Sequence, residues 1–131
     1  MTDPVESARQ GYEEFNAGEF DAMAARMAPE FEWHEAREVA GPKSYESRED
    51  FLRFVRSFEL LWDEFRFEPL EMVAGDGDGA LYAKVRARGR GKASAEAVEF
   101  VIHHVWRVRV GLFVRMDAYL DEDEARAAAD V

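Results

Sequence analysis

The chain has 131 residues, 47% of them apolar and 13% aromatic, with no cysteine and a formal net charge of −11. That size fits one domain, residues 1–131, whose core can dispense with disulfides and structural metal, and the missing thiols exclude thiolate nucleophiles and zinc–thiolate centres. The negative charge repels nucleic acid and anionic lipid. No secretory leader and no run of about 20 apolar residues is present, so the reading is a cytoplasmic protein with neither nucleic acid nor membrane as a partner.

Asp3-Pro4-Val5-Glu6 combines a capping residue, a proline at the first helical position and a carboxylate three residues after the cap, which predicts a helix over about 4–17. Val5, Ala8, Tyr12 and Phe15 recur along it at helical spacing, and Asn16-Ala17-Gly18 ends it. A short helix over about 20–27 is closed by Pro29. Phe31-Glu32-Trp33-His34-Glu35 alternates as a strand, with Glu35 following Phe31 and Trp33 inward; a register error of one residue would put His34 there instead.

After a loop over 40–45, Ser47-Arg48-Glu49-Asp50 opens a helix over 47–62 whose core stripe is Phe51, Phe54, Val55, Phe58 and Trp62, or Leu61 if the helix drifts. From Phe65 the apolar period changes from 3.6 to 2. Four consecutive antiparallel strands are expected at Phe65 to Ala74, Ala80 to Arg90, Ala95 to Arg109 and Leu112 to Leu120, separated by Gly75 to Gly79, by Gly91 to Ser94 and at Gly111. The tail from Asp121 to Val131 is either a short helix or frayed. The fold class is α+β: three N-terminal helices packed on a long curved antiparallel sheet, forming a cone with an apolar pocket at its mouth.

Strand parity assigns the side chains. Val98, Phe100, Ile102, His104 and Trp106 share an inward face, so His104 is a buried imidazole that is either bonded within the core or lines a cavity. His103 on the opposite face is expected at the surface or at a subunit contact. Tyr82, Lys84, Arg86, Arg88 and Arg90 read as outer-face residues, with the arginines in ion pairs or at an interface, and contact with an anionic group of a ligand as the alternative. Phe113, Arg115, Asp117 and Tyr119 are expected outside and Val114, Met116, Ala118 and Leu120 inside. Aromatics on an outer face suggest a homodimer through that face, with charge pairs such as Arg86 or Arg88 to Asp117.

Phe15-Asn-Ala-Gly-Glu-Phe-Asp-Ala22, Phe31-Glu-Trp-His-Glu35, His104-Val-Trp106 and Val114-Arg-Met-Asp-Ala-Tyr-Leu-Asp121 occur in an order that resembles the nuclear-transport-factor-2-like superfamily. The nearest resemblance is to its bacterial ketosteroid-isomerase-like and polyketide-cyclase-like (SnoaL-like) branch. That resemblance implies proton-transfer chemistry with Glu35, seventeen positions after Gly18, in the place of the isomerases' catalytic aspartate. It puts His104 where those isomerases carry a hydrogen-bond-donating aspartic acid. Their helix-1 tyrosine corresponds to Gly11 here, with Tyr12 one residue on and rotated by about 100°. The last-strand aspartate of limonene-epoxide-hydrolase-like members corresponds to Ala118. The superfamily spans isomerases, cyclases, hydrolases and proteins with no chemistry, so the resemblance does not select an activity.

The expected site has Glu35 as base and His104 as hydrogen-bond donor, in a pocket walled by Tyr12, Trp33, Phe54, Phe58, Trp62, Phe100, Trp106 and Met116, with Ala118 leaving space at its floor. The expected partner is a small apolar molecule. No cofactor or metal is implied, since the chain has no HExxH, no phosphate loop and only three histidines. Two functions remain open: general acid/base chemistry on a carbonyl compound, or a non-catalytic binding or dimeric structural module of the same fold.

Overall fold

The computed structural model describes residues 3–75 and 79–131. Helix α1 (Pro4–Asn16) starts where the sequence predicts, with Asp3 accepting a hydrogen bond from the Val5 amide at 3.2 Å and Pro4 in the first turn. Helix α2 is shorter than expected, Phe20–Ala24, because the chain is already extended at Met27. Strand β1 runs Met27–His34 with Pro29 inside it, and Glu35 lies one residue beyond its end. After the two-residue β2 (Ser44–Tyr45), Ser47 caps helix α3 (Arg48–Leu61) through the Asp50 amide at 3.0 Å.

Strand β3 begins at Trp62 rather than Phe65, so Trp62 is the first residue of a strand and not part of the α3 stripe. Strands β3 (Trp62–Ala74), β4 (Ala80–Gly91), β5 (Ala97–Arg109) and β6 (Leu112–Tyr119) follow, and the tail forms helix α4 (Glu122–Ala129). The expected turn from Gly75 to Gly79 lies partly outside the described residues.

The six strands form one curved, unclosed sheet in the order β2-β1-β6-β5-β4-β3. It is mixed rather than purely antiparallel, because β1 pairs with β6 in parallel. The helices number four among the described residues. Those before β3 cover the concave side, while α4 packs on the opposite face against β4, β5 and β6.

That layering creates two clusters. The larger joins Ala8, Tyr12 and Phe15 of α1 and Phe51 and Val55 of α3 to Phe31, Trp33, Val85, Ile102, Trp106 and Met116 of the sheet. The smaller lies under α4 and holds Tyr82, Val105, Ala125 and Ala129. Asn16 ties the end of α1 to β3, since its amide bonds both the carbonyl and the N–H of Phe67 at 2.8 Å.

The second cluster corrects two expectations. His103 and Tyr82 are buried under α4 rather than exposed, and the Tyr82 hydroxyl meets His103 Nδ1 at 2.8 Å. A tail that folds into a helix supplies cover that strand parity cannot foresee. Strand β6 supplies a third correction: a bulge where Val108 pairs with Phe113 shifts the alternation there, so Phe113 is buried, while Leu120, expected inside, lies one residue beyond the end of the strand and is 42% exposed. The expected pairs of Arg86 or Arg88 with Asp117 belong to an interface between copies, and within one chain these residues have other partners. Both arginines approach Glu68, at 3.8 and 3.3 Å, and Asp117 holds Arg115 at 2.8 Å.

Among the described residues no helix is long and apolar enough to cross a membrane.

Candidate active site

Between the concave sheet face and α1 and α3 lies a cavity of about 360 Å³. Of the residues expected to form the site, Tyr12, Trp33, Glu35, Phe54, Phe58, Trp62, Phe100, His104 and Trp106 all line it. Phe100 is 44% exposed, which places it toward solvent rather than in the buried wall. Met116 and Ala118 do not line the cavity, correcting that part of the expectation. Met116 is wholly buried in the core, and Ala118, opposite His104 in the β5–β6 ladder, lines a smaller depression that Glu35 also lines.

The cavity also takes in Tyr45, Phe65, Phe67 and Phe113, which the sequence reading did not assign to it. Phe113 was hidden by the bulge. Phe65 and Phe67 sit on a strand read only for its period, although the change of period marked where that strand lies. Gly89 on β4 gives the Trp62 and Phe65 rings their space, because a Cβ there would lie 2.6 Å from Phe65 Cδ2.

His104 sits at the centre of an aromatic shell, with Trp33, Phe67 and Trp106 presented edge-on at ring-centre distances of 5.3, 5.5 and 6.0 Å. Its Nδ1 lies 2.6 Å from the Tyr12 hydroxyl, which is also 2.9 Å from Trp106 Nε1. Tyr12 reaches this position because it shares the buried stripe of α1 with Ala8 and Phe15. One-residue displacement from the family's tyrosine position therefore does not take it out of the site.

The three-residue chain fixes the proton positions. An indole N–H can only donate, so the Tyr12 oxygen accepts from Trp106 and the Tyr12 O–H donates to His104 Nδ1. The imidazole is then neutral with its proton on Nε2. The opposite tautomer would leave both the Tyr12 proton and Nε2 without partners, against one unpartnered group in the first arrangement. Burial, reinforced by nearby His103, pushes the His104 pKa down to about 3, and burial raises Tyr12 far above the ordinary phenol value. His104 Nε2 is buried and has no hydrogen-bond partner among the described residues.

The second polar element is Glu35. Trp33 Nε1 donates to its Oε1 at 2.7 Å, and the Glu35 amide donates to the Lys43 carbonyl at 2.8 Å, fixing the chain as it leaves β1. Desolvation raises the Glu35 pKa above the usual carboxylate value, partly offset by the Trp33 hydrogen bond and by the charge of Lys43. His34, the alternative occupant, does not line the cavity and pairs with Glu32 at 2.8 Å. Trp33 therefore stands between the two polar groups, bonded to Glu35 and edge-on to His104. Among the described residues no three or more metal-ligating side chains converge.

The SnoaL-like domain model matches residues 8–116. No curated protein matches the chain. Among solved structures, an NTF2-like protein from Burkholderia thailandensis is 25% identical with a TM-score of 0.80, covering 98% of each chain. A proposed polyketide cyclase from Xanthomonas campestris is 19% identical, covering 98% of this chain and 96% of that one, with a TM-score of 0.78. A protein of ketosteroid isomerase-like fold from Catenulispora acidiphila, solved in complex with trimethylamine, is 10% identical, covering 95% and 92%, with a TM-score of 0.75. The matched span takes in most of α1, the sheet as far as Met116 and both polar elements of the cavity, and the chain belongs to the SnoaL-like domain family.

Proposed function

We propose that the cavity binds a small, largely apolar carbonyl compound and performs general acid/base chemistry on it, with Glu35 as base and His104 as hydrogen-bond donor. The observation that carries the reading is the unpartnered Nε2–H of a neutral, fully buried imidazole in a cavity that also holds a carboxylate. A buried donor without a partner costs about 1–3 kcal/mol, and a ligand carbonyl oxygen would satisfy it. A carboxylate raised in pKa is a stronger base than one in water, and the neutral N–H stabilises negative charge developing on the oxygen as a proton leaves the adjacent carbon. Tyr12 holds the imidazole in the donor tautomer. The reading includes a homodimer through the outer sheet face.

Cyclohexanone in deuterated water provides the test, with exchange at the carbons beside the carbonyl followed by NMR. The wild-type protein accelerates exchange, and Glu35→Gln lowers that acceleration by about 10²-fold or more while the fold is kept. Equal exchange in the variant removes Glu35 as base. Exchange no faster than in buffer, alongside retained binding of cyclohexanone, favours the non-catalytic binding module. Mass spectrometry of molecules that copurify with the protein identifies natural candidates. The trimethylamine in the Catenulispora structure belongs to that protein, and likeness at 10% identity carries the fold alone.

A further inference from the structure

The cavity has an unbalanced charge. Two charged residues line it, Arg26 and Glu35. Arg26 is neutralised by a two-pronged bond to Glu14 at 2.7 and 2.9 Å. Glu35 has no such partner among the described residues: Trp33 bonds one carboxylate oxygen and the other has no hydrogen bond. The nearby ammonium of Lys43 is taken up by the carbonyls of Arg37 and Val39.

Two stacked aromatic pairs line the cavity, one of them built on the Trp33 that bonds this carboxylate. Trp33 and Tyr45 are ladder partners on β1 and β2; Trp33 stacks on Phe51 at 4.6 Å and Tyr45 on Phe54 at 4.3 Å. All four rings line the cavity with Glu35. We infer that the Glu35 end of the cavity is a binding site for small organic ammonium ions, with the carboxylate as counter-ion and the Trp33, Tyr45, Phe51 and Phe54 rings as the walls.

A half-buried carboxylate that makes no ion pair, with Lys43 acting on it only through space, is costly, and an alkylated ammonium offsets that cost with little loss of its own hydration. The same methyl groups suit aromatic faces, whose quadrupole attracts positive charge. An inorganic cation would have to shed tightly bound water against these apolar walls, and an anion would meet the unpaired carboxylate. The net charge of −11 draws cations toward the protein. The inference rests on the cavity as a small-molecule site and adds the charge of its occupant.

Choline and 3,3-dimethylbutan-1-ol have the same shape and differ in charge, so calorimetric titration with each isolates the inference. Choline is expected to bind about tenfold tighter than the alcohol to the wild-type protein, and the preference should vanish in Glu35→Gln. Tyr45→Leu, outside the deep core, should weaken choline more than the alcohol and provides a reading even if Glu35→Gln misfolds. Binding of the alcohol without a choline preference overturns the inference and leaves the small-molecule site standing. Binding of neither also overturns the inference, and the cyclohexanone experiment decides the small-molecule site separately.

Discussion

The histidine pair His103–His104 shows how one residue step across a strand sets different chemistry. Each imidazole meets a tyrosine hydroxyl at Nδ1, Tyr12 for His104 and Tyr82 for His103, from opposite faces of the sheet. His104 is the more deeply buried, and its folded pKa of about 3 lies well below the ordinary 6.5. Below pH 6.5 the unfolded chain takes up a proton that the folded chain refuses, so this group's contribution is fully present above 6.5 and is lost as the pH falls toward 3. His103, also lowered by burial and set among Glu122, Lys84, Arg126 and Asp121, acts in the same direction. Comparing the wild type with His104→Asn cancels that shared part. Thermal melts at pH 7 and pH 5 should show a smaller acid-induced drop for the variant, and equal drops would mean that His104 titrates normally in the folded protein.

At the level of elements, local chemistry was the most legible part of the sequence. Asp3 and Ser47 act on amides two or three residues away, and both caps form as their spacing predicts. The alternation along β5 likewise sends Ile102, His104 and Trp106 inward. What failed depended on distant chain: the bulge that turns Phe113 inward arises from its pairing with β5, and the burial of His103 arises from a helix formed beyond residue 121. The Tyr12–His104 bond joins residues 92 apart, so the sequence offered no spacing from which to derive it.

The β5–β6 hairpin turns on Val110 and Gly111, with φ of 52° and 77°. Two positive φ angles suit the hairpin twist, and Gly111 accepts one freely. Val110 does not: a β-branched side chain in the left-handed region costs about 1–2 kcal/mol, and at 95% exposure packing returns nothing. Val110→Asn is therefore expected to raise stability by about 1 kcal/mol in urea unfolding. A destabilised variant would show that the turn has a different backbone.

For the whole molecule, the two sheet faces differ in how completely they are covered. The concave face is closed by α1, α2 and α3 around the cavity, whereas α4 covers the outer face only where it meets β4, β5 and β6. Two of the three residues that first suggested a subunit contact, His103 and Phe113, are buried within the chain, which moves any outer-face interface away from α4. The surface left there carries Val101, 39% exposed, beside its ladder partner Arg86, with Arg88 and Glu68 adjoining. A two-fold axis through this patch would bring its arginines and glutamate onto those of a second copy, as a self-complementary contact requires. Light scattering at micromolar concentration is expected to give the mass of a homodimer. Val101→Arg would set a third positive charge beside Arg86 and Arg88 at the centre of the patch and should return the protein to a monomer without lowering its melting temperature. A wild-type monomer, or a Val101→Arg protein that remains dimeric, would show that this face is not the subunit contact.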